Sequence, residues 1–128
     1  MSLPANSPPV VFILTADRSR SLPFYRDVLG LRLMGEDSHA ATFDLGNRTP
    51  LRLTDLPGHQ GAAHTVLGWH VADIAASVAA LAAKGAVFKI YEGFGQDAQG
   101  IWASGDGGAK VAWFADPDGN LLSLTQIG

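Results

Sequence analysis

Two stretches of this chain end in the same way. Leu51-Arg52-Leu53-Thr54 follows a Gly46-Asn47 turn, and Leu122-Ser123-Leu124-Thr125 follows a Gly119-Asn120 turn. Upstream, Ala16-Asp17 and Ala72-Asp73 each close an apolar run and open a helical pattern. Anchors that recur in the same order mean one supersecondary unit made twice, in too few copies for a solenoid. This repeat constrains the fold more than any other feature of the chain.

In the first copy, Val10 to Leu14 is a short β-branched run and reads as a strand. Asp17 or Ser19 caps a helix whose apolar face is Leu22, Tyr25, Val28 and Leu29. Pro23 favours the later start, because proline is tolerated in a first turn and disruptive farther in. Gly30 suits the C-terminal cap. Leu31 to Gly35, His39 to Leu45 and Pro50 to Thr54 read as three further strands.

The second copy reads alike. Val66 to Val71 is a strand, and Asp73 caps a helix with Ile74, Val78 and Leu81 on one face, ended by Gly85. Ala86 to Tyr91, Lys110 to Ala115 and Leu121 to Gln126 are the expected strands after it. The turn between the last two is Asp116-Pro117-Asp118-Gly119-Asn120. Proline pre-sets its dihedral, the aspartates can accept from backbone amides, and glycine takes positive φ.

From capping Asp to final strand the second copy is fifteen residues longer, and the surplus lies in Glu92 to Gly108. Six glycines and the apolar residues Phe94, Ile101 and Trp102 share that stretch. Two readings are open, a solvated hairpin tip and a lid whose aromatic residues close over a ligand. The expected organisation is therefore a single domain of 128 residues. It holds modules at about 10–54 and 66–126 and a Gly-rich loop at 92–108.

Composition narrows the function classes. A net charge of −3 with scattered Lys and Arg lacks the footprint of a nucleic-acid binder. No apolar run approaches the ~18 residues of a membrane helix. The polar, proline-bearing stretch from Met1 to Pro9 has no signal-peptide plan and reads as a lead-in, so a cytoplasmic location is expected. The absence of cysteine excludes disulfides, thiol nucleophiles and cysteine-ligated metals.

A doubled β-α-β-β-β unit with these words resembles the vicinal oxygen chelate superfamily, which includes glyoxalases, bleomycin resistance proteins and extradiol dioxygenases. Phe24-Tyr25-Arg26-Asp27-Val28-Leu29-Gly30-Leu31 is similar to the helix-to-strand passage of its first module. Asp116 to Asn120 is similar to the turn of its second. The resemblance implies an α+β fold of two βαβββ modules, forming a curled, cup-shaped mixed sheet with helices outside. It also implies a homodimer.

In metal-dependent members each module supplies ligands from its first and last strands. Those places hold Val10, Arg52, Val66 and Ser123 here, and none is a normal ligand for a divalent ion. No metal or other cofactor is therefore expected. A shift of two residues would bring His64 to a ligand place, and His70 shares its strand face, so a displaced metal on either histidine stays open. His70 can equally be a hydrogen-bonded or titrating cavity residue.

Other constellations read as turn chemistry. Ser123 has no histidine partner, and Gly105 to Lys110 matches no phosphate loop. Strand alternation from the four ligand places puts Phe12, Leu14, Thr54, His70 and Thr125 on the cavity side, with Trp113 beside them. The expected ligand-binding set is Arg52, His70, Phe94, Trp102, Trp113 and Ser123, an apolar and aromatic pocket with few polar groups. Arg52 can clamp an anion, or can instead pair with Asp44.

Three functions follow. The first is metal-free binding of a small organic ligand, as in the bleomycin-resistance type. The second is a lyase, isomerase or dioxygenase using a displaced metal or none. The third is a dimeric module without a ligand.

Overall fold

The computed structural model describes residues 2–128; Met1, at the head of the expected lead-in, lies outside them. The chain divides into two compact units, one running to His59 and the other from Gln60 to Gly128.

The first unit contains β1 (Val11–Thr15), α1 (Arg18–Pro23), a π-helical turn (Phe24–Val28), β2 (Arg32–Glu36), β3 (Ala40–Asp44) and β4 (Pro50–Asp55). Its sheet has the order β1-β4-β3-β2, with β1 parallel to β4 and the other pairs antiparallel. Ile13, Phe43, Leu51 and Leu53 are fully or almost fully buried, and α1 packs over β3 and β4. At about 0.8 kcal/mol per buried CH₂, this apolar face is what holds helix to sheet.

The helix starts earlier than Pro23 suggests. Asp17 is the cap, in extended conformation, and its carboxylate accepts the Ser19 N–H at 3.1 Å. Pro23 therefore lies in the last turn of α1, where it has no N–H for the i→i−4 ladder. Beyond it the helix widens, and Leu29 N–H donates to the Phe24 carbonyl at 3.0 Å in the i→i−5 pattern. Gly30, at φ +73°, then ends it.

The second unit repeats the plan with β5 (Thr65–His70), α2 (Ile74–Ala83), β6 (Trp102–Ala103), β7 (Ala109–Ala115) and β8 (Leu121–Ile127), in the order β5-β8-β7-β6. Asp73 caps α2 by accepting the Ala76 N–H at 3.1 Å, and Gly85 closes it at φ +106°. Two four-stranded mixed sheets, each with its helix, make the expected α+β class of two βαβββ modules.

One expected strand is missing. Ala86 to Tyr91 forms a single bridge, Phe88 to Phe114, and the outer strand of this sheet is the short β6 instead. The cause is a side chain that takes the place of a ladder. Gln96 Oε1 accepts the Tyr91 N–H at 2.7 Å, while its amide nitrogen donates to the carbonyls of Lys89 at 2.9 Å and Gly100 at 2.7 Å. Backbone groups satisfied in this way need no neighbouring strand. The Gly-rich segment is thus pinned near its start rather than hanging as a free tip. Asp97 adds two more ties, accepting from Gln99 and Ile101 at 2.9 Å each.

The β7–β8 turn is the most self-contained piece of polar structure in the unit. One oxygen of the buried Asp116 accepts the N–H groups of Asp118 and Asn120, both at 2.9 Å. The other accepts from the buried Asn120 amide at 2.8 Å. The turn seats against Gly61, whose N–H donates to the Asp118 carbonyl at 3.0 Å. A Cβ at Gly61 would run into the backbone of Gly119 and Asn120, so this contact requires glycine.

Candidate functional site

Alternation sorts the second sheet into two faces. Ala112, Phe114, Leu122 and Leu124 are buried, and α2 packs across β7 and β8 on that side. The opposite face carries the residues between them. Register pairs Ser123 with both Gly68 and Trp113, giving one row across three strands. The next row is His70, Thr125, Val111 and Trp102. A Cβ at Gly68 would collide with the Ser123 hydroxyl, so glycine there leaves room for it.

Trp113 is the centre of this face. Tyr91 and Phe94 meet it edge-on, with ring centroids 5.9 Å away in each case, and lie 5.6 Å from one another. Such edge-to-face pairs contribute about 0.5–1.5 kcal/mol each beyond burial. The three rings therefore form one mutually supported wall, and Phe94 is still 51% exposed. Together with Ala63, His64, Thr65 and Leu121, the wall encloses a cleft of about 370 Å³. A second cleft of about 280 Å³ shares Ala63, Tyr91 and Leu121 and adds Gly61, Ala62, Lys89 and Gly119.

The structure brings Phe94 and Trp113 into contact, sets Ser123 beside Trp113, and places His70 and Trp102 one row away on the same face. Arg52 belongs to the first unit. Its guanidinium donates to Asp37 at 3.0 Å and to Thr42 at 3.2 Å. Asp44, the alternative partner read from the sequence, pairs with Arg32 at 3.2 Å instead. The exchange follows from register: Thr42 faces Arg52 across β3–β4, whereas Asp44 stands opposite both Arg32 and Pro50.

Tyr91 and Lys89 are lining residues that patterning missed, and His64, weighed there only as a metal ligand, is a third lining residue. Tyr91 and Lys89 were hidden inside the strand expected over Ala86 to Tyr91. Their signal was the aromatic next to the Gly-rich surplus, at the point where the two copies diverge.

The first unit carries a different polar arrangement. Asp37 accepts the N–H groups of His39 at 2.8 Å and Ala40 at 2.9 Å, and also pairs with Arg52. The His39 amide, then Arg52, then the Ala40 amide hold its carboxyl at about 2, below the ordinary 3.8. A carboxyl depressed in the folded state stabilises above its unfolded value, and this stability is lost as pH falls through the folded one. Asp37→Asn should therefore flatten the fall in melting temperature between about pH 4 and pH 2. An unchanged acid slope would remove Asp37 from that role.

The metal-ligand places of the resembled family do not fit a divalent ion. Val10 and Val66 offer alkyl groups, Ser123 a single hydroxyl, and Arg52 a cation already held by Asp37. Among the described residues no three His, Asp or Glu side chains gather closely enough to hold a metal ion. A larger cleft, about 610 Å³, lies at the start of α2, and none of the expected ligand-binding residues lines it. Three of its polar groups serve local structure: Asp73 caps the helix, Asp97 closes a turn, and Gln126 accepts the Ile74 N–H at 2.9 Å.

Comparison with known proteins agrees with this architecture. Residues 8–124 match the model of the Glyoxalase/Bleomycin resistance protein/Dioxygenase superfamily. The structure is similar to a lactoylglutathione lyase from Agrobacterium tumefaciens, with TM-score 0.70 and 18% identity, covering 96% of this chain and 95% of that one. It is also similar to TnmS3, an antibiotic binding protein from Streptomyces sp. CB03234, with TM-score 0.68 and 20% identity over 99% and 100% of the two chains. A superfamily member from Sphaerobacter thermophilus gives TM-score 0.70 and 21% identity, covering 94% and 96%. No curated protein matches the sequence. With the doubled βαβββ plan in place and the family model spanning nearly its whole length, the chain belongs to the glyoxalase/bleomycin resistance protein/dioxygenase superfamily.

Proposed function

We propose that this protein binds a small aromatic or amphipathic organic molecule on the face of its second sheet opposite α2, without a metal. The observation that carries the reading is the Tyr91–Phe94–Trp113 wall, partly exposed and bordering a cleft of about 370 Å³. Small-molecule sites are concave and mostly apolar with a few convergent polar groups. His64 and Thr65 in the cleft, and Ser123 beside Trp113, are such groups. An antibiotic-binding protein of the same fold supports a binding role. The same reading takes the protein as a cytoplasmic homodimer; among the described residues no helix is long and apolar enough to cross a membrane.

The test is a thermal-shift screen of fused-ring aromatic compounds, with metal analysis of the purified protein in parallel. A ligand that binds only the folded state at 100 times its Kd stabilises by about 2.7 kcal/mol, a shift of several degrees. Upward shifts with aromatic compounds, unchanged by a chelator, are expected. Stoichiometric metal that is lost on replacing His64 or His70 would overturn the metal-free part. The absence of a shift with any aromatic compound would overturn the binding role.

A further inference from the structure

We propose that the ligand carries a carboxylate close to its ring system, and that Lys89 receives it. This deepens the binding reading above and rests on it.

The two clefts beside the aromatic wall adjoin along Ala63, Tyr91 and Leu121. One end is aromatic. The other is walled by Gly61, Ala62 and Gly119, whose small size leaves space, and by Lys89. No carboxylate lines either cleft, so an anion entering there meets a cation and no opposing charge.

Four arginines of the first unit are already engaged. Arg18 pairs with Glu36 and Asp55, Arg26 with Asp27, Arg32 with Asp44, and Arg52 with Asp37. Among the described residues Lys89 forms no ion pair. Its ammonium is left to meet a ligand group, the task that patterning gave to Arg52.

The backbone of Lys89 is fixed at both ends. Its N–H donates to the Trp113 carbonyl at 2.8 Å, and its carbonyl accepts from Gln96 at 2.9 Å. Tyr91 follows two residues later, so the two Cα atoms are at most about 7 Å apart. The same glutamine therefore fixes the backbone that carries both the cation and the first ring of the wall. That spacing selects a ligand in which one or two fused rings carry the acid directly or through a single carbon. A long, flexible linker between ring and acid does not suit it.

A matched pair of probes separates the charge from the ring. Binding of 2-naphthoate and 2-naphthalenemethanol is measured by calorimetry at low salt, with the wild type, Lys89→Met and Lys89→Arg. The acid should bind the wild type about tenfold more tightly than the alcohol, as a charge-assisted contact provides. Lys89→Met should remove that preference, so that acid and alcohol bind alike, while Lys89→Arg keeps it. Equal affinity of the wild type for acid and alcohol would overturn the role of Lys89 and leave the aromatic site standing. A preference that survives Lys89→Met would do the same. If neither probe binds the wild type, the binding reading fails and this inference fails with it.

Discussion

Asp116→Ala is expected to lower the unfolding free energy by roughly 3–5 kcal/mol, a large effect for a polar turn residue. The aspartate is 5% exposed and accepts three hydrogen bonds within four residues of itself. Alanine would leave the N–H groups of Asp118 and Asn120 and the amide of Asn120 facing a methyl group. Each buried polar group left without a partner costs about 1–3 kcal/mol, and relaxation of the turn keeps the total below a simple sum. Globular domains have only about 5–15 kcal/mol in hand, so the variant should unfold at much lower urea. Asp116→Asn keeps the shape and one acceptor oxygen and should cost less. A urea midpoint within the error of wild type for Asp116→Ala would show that the turn does not depend on its carboxylate. The consequence extends to the site, because Gly61 and Gly119 meet at this turn and both line the cleft of about 280 Å³.

Trp113→Ala should weaken binding of an aromatic probe such as 2-naphthoate by about thirtyfold or more. Central aromatic contacts in a desolvated site are typically worth 2 kcal/mol or more, which converts to that factor. The indole is part of the binding surface and is also the support on which Tyr91 and Phe94 lean, each 5.9 Å away. Its loss removes one ring and frees two others to turn away, so the wall is lost together with the contact. Folding should survive, since Trp113 lies on the face opposite the α2 core. Trp113→Phe should recover part of the affinity. A loss under threefold on Trp113→Ala would take Trp113 out of the site.

Much of this fold could be read without coordinates because its signals are local. A capping aspartate, a glycine after a helix and an Asp-Pro-Asp-Gly-Asn turn each act through bonds within a few residues, and each occurs where the repeat requires it. Alternation put Trp113 near Ser123 to within one residue, and the turn geometry settles their pairing. The misread places are those decided by distant groups. Ala86 to Tyr91 has the composition of a strand, but Gln96 takes its backbone groups, and nothing near Ala86 announces that. Arg52 had two nearby aspartates to choose between, and the register of β3 against β4 favoured Asp37 and Thr42. Pro23 was misplaced for a third reason: a helix can absorb proline by widening into a π turn, and its periodicity does not record that option. Of the three rings that meet beside the cleft, Phe94 and Trp113 were in the expected set and Tyr91 was not. Lys89, which lines the adjoining cleft, was not legible, because its backbone is placed only through Gln96 and the Trp113 carbonyl.

The central claim is that an aromatic ligand binds against Trp113 on the second sheet, and amide and indole NMR shifts during titration test it most directly. With 2-naphthoate added to the uniformly ¹⁵N-labelled protein, saturable shifts should concentrate on the Trp113 indole and on Ala63, His64, Tyr91, Phe94 and Ser123. The residues around Arg52 and Asp37 should stay still. Saturable shifts centred on Arg52 with Trp113 unmoved, or no saturable shift at all, would contradict it.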